Sequence, residues 1–544
     1  MKPGVPSREV ADADSESVPN PVLPGYHADP SVCRVGGIYY LITSTCEYLP
    51  GIPVYRSPDL VSWRQIGNVV DRDGQFDLTT APSSLGLFAA TIRYHAGTFH
   101  VTGTQVGRGH FVVRAVHPAG PWSDPIWFTG LTDGPIGWDP SLCFDDGSAL
   151  LTFSTGRTIT GARVDLASGR PLGPVVPLWS GTGGDAPEGP HLYRRGRWWY
   201  LVLAEGGTAA GHAVTVARSE NPFGPFEPHP GNPVLSHRGI DSPFQAVGHA
   251  DLVESPDGSW SAVVLGTRPV GGHGYQLLGR ETFLVPVAWV DVDDGPWPVF
   301  GRDGRVPART GIRGTPMSLR YDDEFVADRL DPGWLALRTA EPAFARTGGG
   351  HLLLRPTGTT LDDPGTPALL ARRVTALDLT VSATITLPAA GAGTGPPEVA
   401  AGLALRRDEK HHYELMVRPG EVSVSARIGD LARTVARVPR STAQVDLRVT
   451  LLPQAVPGPI SGSGVVEFAV RDPDTPDWIV LATLESRYLS TEVTGGFTGV
   501  VVGALATGPA GSPGAVITAW RSRPGGRVRL PDDRTTGQLS SWRP

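Results

Sequence analysis

Five Gly-containing turns, spaced 49 to 62 residues apart, constrain the fold of this chain more than any other sequence feature. Each turn precedes a short run rich in apolar or aromatic residues. The second residues of the turns are Gly37, Gly97, Gly147, Gly196 and Gly258. A repeated unit of this length, holding about four strands, is typical of a β-propeller blade. The pattern predicts a five-bladed β-propeller over residues 20–300, with an open sandwich carrying coincidental hairpins as the alternative.

The position eight residues before each turn glycine is equivalent in the five repeats. It is occupied by Asp29, Ala89, Asp139, Glu188 and Ala250. Equivalent positions of successive blades converge on the axis of a propeller. We therefore expect three carboxyl groups to meet at one point on this axis, where the two alanines leave room for a ligand.

A second β-rich region follows the propeller. Residues 301–318 are rich in Gly, Arg and Pro and are predicted to form a linker. Several segments of residues 319–525 alternate between apolar and polar residues, which predicts an antiparallel β-sandwich. Residues 1–19 and 526–544 are predicted to be flexible tails. The predicted fold class is all-β.

Charge and composition exclude several classes of partner. The net charge is −7 and no basic run is present, which disfavours nucleic acid as a ligand. Three cysteines cannot form a disulfide framework, and none is in a C-x-x-C pair. The first twenty residues lack the apolar run of a signal peptide, and no later stretch is long and apolar enough to span a membrane. These features predict a cytoplasmic protein that needs neither nucleic acid nor a membrane.

Converging acids on a propeller axis suit two kinds of chemistry. They can bind a hard cation, which needs six or more oxygen ligands. They can also hydrolyse a glycoside, which needs one carboxylic acid and one carboxylate. Glu188 is flanked by Pro187 and Gly189 and precedes aromatic residues, so partial desolvation is expected to raise its pKa. Asp29 is expected to be the more solvated carboxylate, and this asymmetry favours hydrolysis.

Several segments, taken together and in order, resemble the motifs of glycoside hydrolase family 43. They are residues 20–31, 51–60, 139–142, 187–193, 204–208, 248–254, 278–283, 322–325 and 401–405. The resemblance implies a propeller followed by the concanavalin-like or jelly-roll-like sandwich of the family's β-xylosidases. It further implies an inverting enzyme that needs no cofactor.

The resemblance also implies roles for individual residues. Asp29 would be the general base that activates water, Glu188 the general acid, and Asp139 the residue that orients Glu188 and tunes its pKa. Inversion requires room for a water molecule, so the Asp29 and Glu188 carboxyl groups should lie roughly 6.5–9.5 Å apart. Arg268 would bind the sugar and the acids. His249 matches the family's axial histidine, which approaches an ion or a water molecule.

Two positions depart from the family's xylosidases. Cys46 follows Ser44 and Thr45 where those enzymes usually carry a phenylalanine. Phe88, a candidate sugar-stacking residue, is followed by Ala89 and Ala90 without the usual proline. Both positions tend to line the sugar subsite, so the departures leave the choice between xylose and arabinose open.

The predicted activity is the release of xylose from the non-reducing end of β-1,4-xylo-oligosaccharides, with activity on arabinosyl-substituted oligosaccharides. An α-L-arabinofuranosidase is the nearest alternative. A retaining fructan-cleaving enzyme should begin with Trp-x-Asn-Asp-Pro-Asn, whereas this chain has His27-Ala28-Asp29-Pro30-Ser31. A non-catalytic sugar-binding propeller should lack one of the three acids. A homo-oligomer, and a structural calcium ion at Asp322, Asp323 and Glu324, are further hypotheses.

Overall fold

The computed structural model describes residues 16–525, except residues 133, 135, 136, 273, 293, 389–398, 441, 443, 455–461 and 474. Residues 1–15 of the predicted N-terminal tail and the whole predicted C-terminal tail, residues 526–544, lie outside the described residues. In the described part of the chain, no helix has the length and apolar character needed to cross a membrane.

Within these residues the first half of the chain forms five antiparallel sheets, each built from consecutive strands. Blade 1 contains Ser31–Val35, Ile38–Ile42, Gly51–Ser57 and Arg64–Val70. Blade 2 contains Thr91–His95, Thr98–Gln105, Gly109–Ala115 and Ile126–Trp127. Blade 3 contains Trp138–Asp145, Ser148–Ser154, Ile159–Asp165, Arg170–Pro171 and Val176–Trp179. Blade 4 contains Glu188–Arg195, Trp198–Glu205, Ala213–Ser219, Glu227–Pro228 and Leu235–Ser236. Blade 5 contains Gln245–Glu254, Trp260–Thr267, Glu281–Val292 and Gly295–Phe300.

The predicted turns connect the first and second strands of each blade. Ala96 and Gly97 both have positive φ, and so do Asp146 and Gly147, as a two-residue hairpin of type I′ requires. The second strands are largely buried on both faces because blades pack on both sides of them. Residues 199–205 in blade 4, for example, are all buried. The predicted propeller is confirmed.

The C-terminal half is a sandwich of two antiparallel sheets, and the predicted all-β fold is confirmed. One sheet contains Tyr321–Asp323, Ala345–Gly348, His351–Leu354, Leu379–Thr386, Gln444–Leu452, Val465–Arg471, Ile479–Glu485 and Ala515–Pro524. The other contains Ala368–Arg373, Ala400–Asp408, His411–Arg418, Glu421–Ile428, Leu431–Pro439 and Val501–Thr507. A short 3-10 turn, Ser486–Leu489, and a helical turn, Thr491–Thr494, connect the sheets near the propeller.

The two domains share an extensive interface. The strand Tyr48–Leu49 of the propeller pairs with Ala336–Leu337, which precedes the main sheets of the sandwich. Tyr26 packs with Met416 in a buried apolar cluster that spans the interface. The Arg373 guanidinium donates to the Tyr26 carbonyl oxygen over 2.6 Å. The sandwich therefore contacts the propeller loop that contains Asp29.

Residues 16–19 and the predicted linker are paired with each other. The Val18 amide donates to the Ile312 carbonyl over 2.8 Å, and the Thr310 amide donates to the Val18 carbonyl over 2.9 Å. The Asn20 side chain donates to the carbonyls of Leu284 and Pro307, both over 2.9 Å. The described end of the predicted N-terminal tail is thus fixed along the seam between the first and last blades.

Candidate active site

The three predicted acids line one pocket on the propeller axis. The cavity has a volume of about 370 Å³. It is lined by Asp29, Cys46, Phe88, Ala89, Trp138, Asp139, Ala186, Glu188, Gly207, Thr208, His249, Arg280 and Phe497. The structure therefore brings together all of the predicted site residues except Arg268.

Local backbone geometry directs the acids to the axis. Asp29 and Asp139 lie at the start of the inner strands of their blades with φ of 53° and 55°, a left-handed conformation that aspartate tolerates better than most residues. Strand pairing is irregular between Trp138 and Ser141 and between Glu188 and His191. These irregularities release the acids from regular pairing, as bulges near active sites often do.

Asp29 is paired with a guanidinium group. Arg280 Nη1 donates to Asp29 Oδ1 over 2.6 Å, and its side chain also approaches Thr208 Oγ1 at 3.3 Å. Burial raises the pKa of Asp29, but the charge of Arg280 and the other polar neighbours together outweigh burial and hold the pKa below its usual value. Asp29 is therefore a carboxylate at neutral pH. The expectation that Asp29 is the more solvated acid is wrong, because Asp29 is buried and Glu188 is partly exposed; its neighbours, not water, keep it ionised.

Glu188 and Asp139 have the opposite tendency. Burial, followed by the charge of Asp29, raises the pKa of Glu188 to about 7. Trp138 Nε1 donates to Glu188 Oε2 over 3.2 Å and partly opposes the shift. Burial and the charge of Glu188 raise the pKa of Asp139 well above its usual value, while the Gly189 amide donates to Asp139 Oδ2 over 3.1 Å. The pocket thus contains one carboxylate and two carboxyl groups whose raised pKa values favour the protonated form.

The sandwich contributes Phe497 to the pocket. Its ring meets Phe88 edge-on, with centroids 5.7 Å apart, and lies 5.5 Å from the Arg280 guanidinium carbon. Its carbonyl oxygen accepts from Arg280 Nη2 over 3.3 Å. Sequence reasoning missed this residue because it lies in a loop of another domain and belongs to none of the propeller repeats.

The prediction that Arg268 contacts the acids is not supported by its position, since Arg280 takes that place. Arg268 forms a two-pronged pair with Glu281, through Nε–Oε2 and Nη2–Oε1 distances of 2.7 Å each. Successive side chains of an extended chain point to opposite sides. Arg280 and Glu281 therefore diverge, and the buried Glu281 carboxylate attracts Arg268 away from the pocket.

His249 lines the pocket, whereas the repeat pattern had assigned this position in blade 5 to Ala250. Strand pairing shifts on both sides of Gly248, which changes the residue that faces the axis. Burial lowers the pKa of His249, so the imidazole is neutral near pH 7. Its ring packs on Gly189, where a Cβ atom would lie 2.9 Å from the ring. The ion-related role of His249 stays a prediction.

Both domains of the chain match models of known protein families. Residues 18–296 match the model of Glycosyl hydrolases family 43, and residues 322–521 match that of the beta xylosidase C-terminal concanavalin A-like domain. The chain belongs to glycosyl hydrolase family 43. The predicted family is confirmed, and this family 43 chain is a glycosidase whose homologues are xylosidases and arabinofuranosidases.

Individual relatives cover nearly the whole chain. It is 39% identical to a non-reducing end alpha-L-arabinofuranosidase of Bacteroides ovatus, over 90% of this chain and 91% of the relative. It is 33% identical to a xylosidase/arabinosidase of Butyrivibrio fibrisolvens, over 90% and 95%. A solved structure of a xylan beta-1,4-xylosidase from Bacillus halodurans matches with a TM-score of 0.82 at 28% identity, over 93% of this chain and all of that one.

A second buried acid of this family 43 enzyme lies close to the pocket and is fully paired. Arg93 Nη1 and Nη2 donate to Asp251 over 2.8 and 2.9 Å. Ser31 Oγ donates to Asp251 Oδ2 over 2.6 Å, and the Val32 amide donates to the same oxygen over 3.0 Å. The Tyr193 hydroxyl donates to Asp251 Oδ1. Blades 1, 2, 4 and 5 are thus joined at one carboxylate, which has a structural role.

The hypothesis of calcium at the start of the sandwich does not fit the donors that surround it. Asp322 is 2.8 Å from the Arg320 guanidinium. Asp323 accepts from the Tyr321 hydroxyl, the Phe325 amide and the Trp334 indole over 2.7 to 2.9 Å. Glu324 pairs with Arg521. Among the described residues, no group of three or more His, Cys, Asp or Glu side chains is arranged to hold a metal ion.

Proposed function

We propose that this chain is an inverting, exo-acting glycosidase that releases xylose from the non-reducing end of β-1,4-xylo-oligosaccharides. The same pocket is proposed to accept α-L-arabinofuranosyl units. The observation that carries the proposal is that Asp29, paired with Arg280, and Glu188, held by Trp138, line one pocket. These surroundings shift their pKa values in opposite directions. An inverting glycosidase needs this combination of one carboxylate and one protonated acid.

The proposed reaction uses the two groups in concert. Glu188 donates its proton to the glycosidic oxygen as the bond from that oxygen to the anomeric carbon breaks. Asp29 accepts a proton from the water molecule that attacks the anomeric carbon from the opposite face. Arg280 keeps Asp29 ionised, and Asp139 holds the backbone beside Glu188. The proposal retains the predicted carboxyl separation of roughly 6.5–9.5 Å.

An α-L-arabinofuranosidase activity is the second candidate. The small side chain of Cys46 in the lining of the pocket favours it. Cys46 accepts a hydrogen bond from the Tyr26 hydroxyl over 3.1 Å, and burial raises the pKa of its thiol to about 12. A neutral thiol occupies less space than the phenylalanine of the family's usual xylosidases. The 39% identical relative is itself named an arabinofuranosidase.

Replacing Glu188 by alanine tests the acid role. We expect Glu188→Ala to lower kcat on xylobiose by about 10³-fold or more, and to lower kcat less on aryl glycosides whose leaving groups need no proton. Glu254→Ala, which removes an exposed carboxyl group of blade 5, is the matched control. Full activity of Glu188→Ala on xylobiose would show that the assignment is wrong.

Two measurements on the unmodified enzyme complete the test. NMR of the first product should show α-xylose from a β-xyloside, whereas β-xylose would indicate retention. The ratio of kcat/KM on an aryl β-D-xyloside to kcat/KM on the matching aryl α-L-arabinofuranoside shows which sugar the enzyme prefers. Binding of xylobiose in calorimetry without any hydrolysis would favour the sugar-binding alternative. A cytoplasmic location and a homo-oligomer stay predictions, which cell fractionation and light scattering can check.

A further inference from the structure

The Arg268–Glu281 ion pair lies outside the pocket but adjoins the residue that binds the catalytic base. Its two short contacts use both oxygens of Glu281. The Glu281 side chain is inaccessible to solvent, and the Arg268 side chain is 18% exposed. A two-pronged pair of this kind fixes direction as well as distance. The pair therefore defines the orientation of the chain at residue 281, directly after Arg280.

Glu281 also binds the loop that contains Asp29. Its Oε1 atom accepts the Gly25 amide over 2.6 Å, four residues before the base. Gly25 has φ of +84°, and a Cβ atom there would lie 2.6 Å from the Val374 carbonyl oxygen of the sandwich. The loop is thus enclosed between Glu281 and the sandwich, and it has no room to shift at this point.

Further hydrogen bonds connect the same two segments. The His27 amide donates to the Arg280 carbonyl over 2.9 Å, and Thr282 Oγ1 donates to the His27 carbonyl over 2.7 Å. Beyond them, the Arg280 side chain reaches Asp29. The position of Glu281 therefore determines where both partners of the Arg280–Asp29 contact lie.

We propose that the Arg268–Glu281 pair is a positioning element for hydrolysis, which holds Arg280 and Asp29 in their mutual geometry without touching the sugar. The inference depends on the proposed role of Asp29 as the base. A positioning error of about 1 Å, even when it originates away from the reacting atoms, can lower a rate by about 10²-fold.

Arg268 also helps to keep the Arg280–Asp29 contact in place. Without Arg268, the buried Glu281 carboxylate has no guanidinium partner, so the segment that contains Arg280 loses its fixed orientation. The charged and titratable groups that face Asp29 are Arg280, His249, His212, Asp139, Glu188 and Cys46. Because Arg280 is the permanent cation among them, weakening its contact should raise the pKa of Asp29. The acidic limb of the pH profile should then move to higher pH, since the base must be ionised.

The test compares Arg268→Met, which removes the charge, with Arg268→Lys, which keeps the charge but loses the two-pronged geometry. The matched control is Arg218→Met, which removes a buried arginine that pairs with Asp294 at the edge of the propeller. Activity is measured on the aryl glycosides, as a function of pH and below each variant's melting temperature.

We expect kcat to fall by about 10²-fold in Arg268→Met and by about tenfold in Arg268→Lys. The acidic limb should rise by about one pH unit in the first and by less in the second. Arg218→Met should leave both quantities unchanged. Arg268→Lys decides the question alone if Arg268→Met does not fold.

The inference is overturned if the Arg268 variants keep the wild-type kcat and acidic limb, or if they lose kcat with an unmoved limb, as a general loss of structure would produce. An NMR titration of the ¹³C-labelled Asp29 carboxyl group, assigned with Asp29→Asn, reads the contact without turnover. This titration separates the proposed glycosidase function from the proposed positioning role of the Arg268–Glu281 pair. An inactive wild type whose Asp29 pKa rises in Arg268→Met contradicts the function alone, whereas an active wild type with an unmoved pKa contradicts this inference alone.

Discussion

Two buried acid sites close to the propeller axis differ in their balance of charge. In the pocket, three carboxyl groups lie with one guanidinium group, that of Arg280, which contacts Asp29. At Asp251, one carboxyl group receives hydrogen bonds from Arg93, Ser31, Val32 and Tyr193. Burial raises the pKa of Asp251, but the Arg93 charge and the hydrogen bonds to the carboxylate together outweigh burial and hold the pKa well below its usual value.

The difference shows how one architecture produces both chemistry and stability. An excess of acids over cations leaves Glu188 and Asp139 protonated, which is what proton transfer to a leaving group requires. An excess of donors over acids makes Asp251 a permanent anion that joins neighbouring blades. Both sites contain buried carboxyl groups. The charges and hydrogen-bond donors around each carboxyl group decide whether it serves in catalysis or in stability.

The largest expected effect comes from Asp29→Asn. Loss of the base should lower kcat by about 10³- to 10⁴-fold on xylobiose and on activated aryl glycosides alike, because both need an activated water molecule. The melting temperature should change little, because loss of the Asp29 charge lowers the pKa of Glu188, which can then ionise and serve as the counterion of Arg280. Steady-state kinetics and calorimetric melting measure the two quantities. Retained activity, or a collapse of stability, would remove the contrast with Asp251.

Asp251→Asn should show the reverse pattern. Removing this charge leaves the Arg93 guanidinium buried without its counterion, which should lower the free energy of unfolding by about 3–5 kcal/mol. Catalytic rates measured below the melting temperature should stay within a few-fold of wild type. Urea unfolding gives the free energy. Asp145→Asn, which breaks an exposed pair with Arg194, is the control and should cost less than about 1 kcal/mol. Equal losses in the two variants would contradict the structural role of Asp251.

The smallest effect is expected from Trp138→Phe. Glu188 must be protonated to act, and its pKa is about 7, so activity should fall as the pH rises through this value. The Trp138 indole lowers this pKa by donating to Glu188. Its removal should therefore move the basic limb upward by about half a pH unit. The pH dependence of kcat/KM measures the shift, and a downward movement would show that the indole does not stabilise the ionised acid.

The repeats made much of this architecture predictable. Turn glycines at regular intervals indicated the blades, and the constant offset identified Asp29, Asp139 and Glu188 as neighbours, which the structure places in one pocket. In blade 5 the eight-residue offset predicted the wrong pocket residue. The irregular strand around Gly248 directs His249, and not Ala250, into the pocket. A repeat pattern describes regular pairing, so it cannot anticipate a local shift.

Other features had weaker signals or none. Arg268 and Arg280 both lie next to strand ends of blade 5, and the sequence does not show which of them a buried glutamate attracts. Trp138 directly precedes Asp139, so its place in the pocket has a local signal in the sequence. Phe497 depends on how the two domains pack, which the periodicity of either domain does not encode.

The pairing of residues 18–27 with residues 280–312 affects the order in which the enzyme can be completed during synthesis. The Gly25 amide donates to the Glu281 carboxylate, which lies 256 residues further along the chain. The contact between Asp29 and Arg280 spans 251 residues. Chains emerge from the ribosome with the N-terminus first, and their domains fold as units. A nascent chain that ends before blade 5 therefore contains all three acids but lacks Arg280, which stabilises the ionised form of Asp29. Hydrolytic activity should appear only in the last stage of the propeller's assembly.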